Sequence, residues 1–463
     1  MAYQEVKMPA VLDPERSNAD LARAVGTREQ RPRAWPRRFL AILGPGMVTG
    51  AADDDPSGIA TYAQTGAQFG YGQLWTVFLI LPLMVAVQEM CARIGLVTGK
   101  GLARVVWHHY PRVILYSIVG LLLIANTINL GADLGAMAAA TRLLLPVPYP
   151  LLTILFALGS MLLEVVVSYH QYARVLKWLC LSLIAYVLTG FVVAQDWSMV
   201  LRATVVPRVQ GSFSFLLLIV AVLGTTISPY MFFWQASEEV EEEIEQGQLA
   251  RPQGLNVTGR LPTIGAREIR RMRVDTWVGM VFSQVTSWFI IITAAGTLHA
   301  AGQTDITTAA QAAQALEPLV RTFPHAGAIA KGIFALGIIG LGLLAVPIFA
   351  GSASYALADT FSWREGLYRK PREAPQFYGV MILATLAGLG INFVGINPIK
   401  ALVYAAVING IVAVPLILLI LLMSNNRAIM GAYVNRRWVN VAGWCTFVAM
   451  ALAALAMFVS WLP

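Results

Sequence analysis

Charge is scarce in this sequence. Asp, Glu, Lys and Arg make up 13% of its 463 residues, about half the share found in soluble domains, while 57% are hydrophobic. Such a chain cannot cover a water-facing surface, so a string of soluble domains is excluded and a membrane protein is expected. Cysteine is sparse too. Cys91, Cys180 and Cys445 each stand alone in an apolar stretch without CxxC spacing, which excludes a disulfide framework or zinc ribbon and leaves three small packing residues. The histidines (His108, His109, His170, His299, His325) fall in loops or near span ends, away from any buried proton relay. There is no phosphate-binding P-loop and no Ser/His/Asp grouping on one face, so neither an enzyme nor a cofactor is expected. The net charge of +8 does not imply nucleic acid, because the basic residues lie in short loops between apolar runs.

Those apolar runs dominate the chain. Eleven spans of membrane-crossing length are expected, at roughly 39–63, 70–97, 112–139, 148–167, 174–195, 213–237, 275–300, 327–358, 375–394, 398–423 and 438–461. Residues 1–38 read as a disordered basic cytoplasmic tail and not as a secretory signal. Lys100, Arg104 and Arg112, then Arg174 and Lys177, Arg251 through Arg273, Arg364 through Arg372, and Arg427, Arg436 and Arg437 fall on one side. The other side has only Arg142, Arg202, Arg208, Arg321 and Lys331. This asymmetry puts the N-terminus in the cytoplasm and the C-terminus outside. The loop 238–274 opens with Glu238, Glu239, Glu241, Glu242, Glu243 and Glu245 and closes on arginines. It reads as a solvated helical extension, or more sharply as an acidic vestibule that concentrates cations.

Two spans break the rules. Span 1 carries Asp53, Asp54 and Asp55 in mid-membrane, followed by Pro56-Ser57-Gly58. Each Asp at a helix centre costs about 2.5–3.5 kcal/mol on the insertion scale, so a lipid-facing position is excluded. Pro56 and Gly58 predict an unwound segment, tolerated at this depth only where it lines a cavity. Free carbonyls beside carboxylates make a hard-oxygen cation site. The opposing reading, an external loop or a helix N-cap, would split the span into pieces too short to cross. Span 6 has a matching break at Gly224-Thr225-Thr226-Ile227-Ser228-Pro229-Tyr230. Spans 1 and 6 are five apart, so they open two five-span units (39–195 and 213–423) of opposite orientation. Paired interrupted helices in such halves point to a mid-membrane substrate site. Span 11 (438–461) is an addition.

Here the residues resemble a known family, the Nramp divalent-metal transporters, whose fold is of the LeuT type. Gly44-Pro45-Gly46, Asp55-Pro56, Ala60-Thr61, Gln64 and Gly66-Ala67 are similar to the family's first helix with its Asp-Pro-Gly-Asn motif. Gly224 through Tyr230 is similar to its Met-Pro-His sixth helix, and Ala132-Asp133-Leu134 to its third-helix Thr-Asp-Leu. The resemblance implies that Asp55 keeps the metal-ligating Asp, and that the carbonyls of Ala52 and Thr225, with Ser228, Asn409 and Asp54, are further direct or water-mediated ligands. Gly58 falls where the family has its ligating Asn, and Ser228 where it has Met. Tyr230 replaces a His and Asn126 a third-helix Glu used for proton movement, while Asp133 remains. Losing a thioether hardens the site, and Asn→Gly is expected to open space, which suits a partly hydrated Mg²⁺. The pattern is most similar to the family's magnesium-transporting branch. It implies a monomer in a bacterial inner membrane, importing Mg²⁺ or alternatively Mn²⁺ with weak or no proton coupling. Three readings stay open beside it: a proton-coupled Mn²⁺/Fe²⁺ importer drawing a soft ligand from Met47 or Met231, a carrier of an organic solute with Asp55 as countercharge, and a non-transporting sensor.

Overall fold

A computed structural model describes Gly50 and residues 53–166, 183–245, 249 and 265–461. Every regular element among them is helical. In chain order these are α1 (Pro56–Phe69), α2 (Trp75–Thr98), α3 (Leu102–His109), α4 (Arg112–Thr141), α5 (Tyr149–Val166), α6 (Ile184–Val192), α7 (Trp197–Val205), α8 (Phe213–Thr226), α9 (Pro229–Glu245), α10 (Ala266–Ala294), α11 (Ala309–Gln314), α12 (Glu317–Val320), α13 (Ala326–Phe361), α14 (Pro375–Ile391), α15 (Pro398–Asn425) and, after two single turns, α16 (Arg437–Trp461).

Eight of the expected spans have helices long and apolar enough to cross a bilayer, counting α8 with α9 as one. α14, at 17 residues, is apolar but shorter. Spans 1 and 5 run into residues outside those described. Side chains such as Phe78, Ile124, Leu162, Leu383 and Leu452 are turned outward and exposed, the surface a bilayer-embedded bundle presents. Helix ends follow local rules. Gly99, at φ 59, closes α2 in the left-handed region. Asn397 caps α15 by accepting from the Ile399 and Lys400 amides.

The broken spans each pack on a different long helix. α1 lies on α10 (span 1 on span 7), while α9 lies on α2 (span 6 on span 2). Spans 3 and 8 (α4 and α13) pack along each other, as do α8 and α15. At the last contact a Cβ on Gly224 would strike the Ala406 carbonyl and the Gly410 backbone, so glycine sets how closely the broken span approaches α15.

The acidic run differs from expectation. Residues 238–245 are helical, inside α9, but Glu238, Glu239, Glu241 and Glu243 are buried. α9 packs against α2 and α13, so these four buried glutamates do not form a solvated extension. The return arm of the loop is likewise helical from Ala266, the start of α10; residues 250–264 lie outside those described.

Candidate functional site

Both breaks form, and each is narrower than expected. Asp53 is helical, Asp54 and Asp55 are not, and the helix restarts at Pro56. Ser57 and Gly58 are therefore helical. Pro at the first helical position loses only an amide that would be orphaned anyway. Asp55 is the N-cap of α1: one carboxylate oxygen accepts from the Gly58 amide at 2.7 Å and from the Ser57 hydroxyl at 2.6 Å. The N-cap, set aside in the sequence reading together with an external loop, is therefore what Asp55 forms. The Tyr230 phenol adds a further hydrogen bond to Asp55. In span 6, α8 ends at Thr226 and α9 begins at Pro229. The two breaks meet through Tyr62 and Thr226 hydroxyls at 2.7 Å and Ser57 and Thr225 hydroxyls at 3.3 Å.

The other expected residues divide. Asp133, on α4, is fully buried, and neither of its oxygens has a hydrogen-bond partner. It lies within electrostatic reach of Asp55. It is therefore not a hydrogen-bonded structural group. Tyr230 is buried against Phe349, ring centroids 4.3 Å apart, and senses both Asp55 and Asp133. Asp54 turns away: one oxygen lies 3.3 Å from the Ser287 hydroxyl and 3.4 Å from that of Ser283, both on α10. Asp53 bonds Ser283 as well. Ser228 bends its hydroxyl back onto the Gly224 and Thr225 carbonyls, so the Thr225 carbonyl, expected as a ligand, is already engaged. Asn409 exchanges two amide hydrogen bonds with Asn129, at 2.8 and 3.1 Å. Asn126 donates to the Phe349 carbonyl and the Ser352 hydroxyl, joining α4 to α13. Gly58 does not open space, since a Cβ there would sit 3.1 Å from the Asp53 carbonyl and 3.4 Å from Thr225 and Tyr62. Ala52 lies outside the described residues. Among those described, no three His, Cys, Asp or Glu side chains converge. An ion between the breaks would rely on Asp55, Asp133 and neutral oxygens.

Sequence reasoning missed Ser283, Ser287, Asn129 and Tyr62. A signal existed for the serines, two hydroxyls four residues apart in an apolar span and hence on one helix face. Asn129 lies one turn before Asp133 and shares its face in the same way.

The approaches differ. Toward α11, Ile59, Ala60 and Ala63 meet Ile306, Phe334, Ile338 and Leu402 around a void of only about 10 Å³. Toward the basic loops lies a cleft of about 60 Å³ lined by Lys100, Arg104, Glu241, Tyr355 and Glu365 among others. Glu241 is the only member of the acidic run among the residues lining it. There Tyr355 donates to Glu241, the Leu367 amide reaches the same carboxylate at 2.6 Å, and Arg104 bonds Asp359 at 3.0 Å. Burial, and then the Asp359 charge, push the Glu365 carboxyl well above its usual range.

The Nramp model (natural resistance-associated macrophage protein-like) matches residues 46–460. The chain belongs to the Nramp family. A divalent metal cation transporter MntH of Klebsiella pneumoniae is 26% identical over 418 residues, covering 89% of this chain and 92% of its own length. Another, of Bacillus subtilis, is 25% identical over 430 residues, covering 91% and 92%. Among solved structures, an Eremococcus coleocola manganese transporter superposes with a TM-score of 0.70 at 18% identity, over 93% of this chain and 88% of that one. The nucleobase-cation-symport-1 family transporter Mhp1 reaches 0.55 at 12% identity over 90% of each. These likenesses show the LeuT-type fold. Within this Nramp chain, the Gly58 amide and the Tyr230 phenol both bond Asp55, the carboxylate that caps the broken helix.

Proposed function

We propose that this chain imports a hard divalent cation, Mg²⁺ in preference to Mn²⁺, by alternating access across a bacterial inner membrane. The carrying observation is the Asp55–Asp133 pair. Two buried carboxylates lie within electrostatic reach between two broken helices, and one of them is wholly without hydrogen-bond partners. A buried charge left unpaired is costly, and a divalent ion balances both carboxylates. Asp55, Asp133 and retained waters supply hard oxygen, as Mg²⁺ requires. Ser228 brings no sulfur where the family has Met. The names of the bacterial relatives support a divalent metal as cargo. In this reading eleven spans carry the chain as a monomer, N-terminus inside and C-terminus outside, and the membrane potential drives uptake without a matched proton.

The manganese transporter among the structural relatives favours a second reading, proton-coupled Mn²⁺ import. Purified protein in liposomes, with Mg²⁺ and Mn²⁺ uptake followed beside an internal pH dye, separates them. Mg²⁺ entry without acidification supports the first. Mn²⁺ entry with acidification and no Mg²⁺ entry selects the second.

A further inference from the structure

Beside the Asp55 site, Gly50, Asp53 and Asp54 lie against one face of α10. Gly50 lies against Gly279, Asp53 bonds Ser283, and Asp54 faces Ser283 and Ser287. Residues 279, 283 and 287 are four apart and stack on one stripe. The glycine pair brings the backbones together: a Cβ on Gly50 would overlap the Gly279 carbonyl. The carboxylates of Asp53 and Asp54 are therefore pressed onto the two serines.

Both carboxylates are completely buried. Asp53 Oδ1 and Asp54 Oδ2 have no hydrogen-bond partner. Among the described residues no Lys, Arg or His pairs with either, and the charges they sense are each other's and that of Asp55. Adjacent like charges in a poorly polarisable interior repel strongly, and two serine hydroxyl protons, shared among three carboxylate contacts and the Ser283 carbonyl, do not balance them. Asp55 cannot share its own partners here, because it is turned toward Ser57, Gly58 and Tyr230.

We infer that Asp53, Asp54, Ser283 and Ser287 form a second divalent-cation site between span 1 and α10, separate from the Asp55–Asp133 transport site. Two carboxylates match one doubly charged ion, whereas a monovalent ion would leave a buried charge. Two carboxylates and two hydroxyls are hard oxygen donors of the kind Mg²⁺ takes, with waters completing the shell. An ion there ties Asp53 and Asp54, at the break in span 1, to span 7. The inference rests on the transport reading only in the number of ions counted, and the two can fail separately.

The test is calorimetric titration of the full chain in detergent with Mg²⁺, the fold of each variant being checked by its melting temperature and gel-filtration profile. Two ions per chain are expected in the parent, one in Asp55→Asn and one in Asp53→Asn/Asp54→Asn. Ser283→Ala/Ser287→Ala keeps both carboxylates and should weaken one of the two sites about tenfold or more; it decides the matter if the double Asp variant does not fold. One ion in the parent, lost in Asp55→Asn but kept in Asp53→Asn/Asp54→Asn, overturns the second site and leaves the transport reading standing. Unchanged affinities in the serine variant also overturn it. One ion kept in Asp55→Asn and lost in Asp53→Asn/Asp54→Asn upholds this site and removes Asp55 from transport. No binding to the parent overturns both.

Discussion

The Ser228 hydroxyl lies 2.7 Å from the carbonyl oxygen of Thr225 and 2.7 Å from that of Gly224, so the break in span 6 is closed by its own serine. Two carbonyls that could face an ion are thereby occupied. Ser228→Ala should free them at a cost of about 1 kcal/mol in stability. Ser228→Met frees them and adds a soft sulfur, and should move preference from Mg²⁺ toward Mn²⁺ and Cd²⁺ by about tenfold, some 1.4 kcal/mol. Titration of each metal against both variants is the check. A shift in Ala equal to that in Met would assign selectivity to the carbonyls and not to ligand softness. Adding Gly58→Asn is expected to cost a further ~1–3 kcal/mol from crowding against the Asp53 carbonyl.

Asp55 has two jobs that substitutions can separate. It caps α1 through the Gly58 amide, and it supplies negative charge between the breaks. Asp55→Asn keeps a capping oxygen and should leave thermal stability nearly unchanged while abolishing uptake. Asp55→Ala should abolish uptake and also cost about 1 kcal/mol of stability. Uptake in liposomes and melting temperature are read on the same preparations. Retained uptake in Asp55→Asn would remove the charge from the mechanism.

The fold was legible because its signals are coarse. Apolar runs set the spans, and Pro56 and Pro229 sit at both breaks. The extent of each break was not legible: proline at the first helical position starts a helix as readily as it ends one, so Pro56-Ser57-Gly58 looked unwound and is wound. Asp55 was legible from its place before Pro56. The directions of Asp54 and Asn409 were not, because they depend on which neighbouring helix offers a partner: Ser283 and Ser287 on α10, Asn129 on α4. The acidic run misled for the same reason. Charge density on one helix says nothing about whether other helices close over it.

The cleft beside the basic loops should respond to pH through Glu365, which lies between spans. Its carboxyl is pushed well above its usual range, by burial first and then by Asp359, with Arg104 at 3.7 Å opposing. The folded corner therefore favours the protonated acid. Its stability is full below the ordinary carboxylate pKa and is lost as pH rises from there through the raised value. Exchange of the Leu367 amide, which donates to Glu241, should speed up with pH beyond the intrinsic base-catalysed rate. Glu365→Gln should follow the intrinsic rate alone. An identical slope in both proteins would exclude Glu365 as the titrating group.

Asp133 is the residue at which proton coupling can be tested. Coupling needs a titratable group linked to the substrate site and a relay beyond it. Asp133 meets the first condition, being buried, without hydrogen-bond partners and within reach of Asp55. The relay is missing from the positions where the family has it. Asn126 cannot titrate and is committed to Phe349 and Ser352, while Tyr230 stands in for a His, the side chain suited to proton exchange near neutrality. The membrane potential already supplies about 4.6 kcal/mol per 100 mV for a divalent ion, twice the value for one charge. The expected outcome is cation uptake that scales with an imposed potential and leaves the internal pH dye unchanged. Asp133→Asn should slow uptake at least ~tenfold by removing half of the charge facing the ion, again with no change in pH signal. Acidification that tracks uptake in the parent and disappears in Asp133→Asn would make Asp133 the proton carrier, and this chain a symporter despite its missing relay.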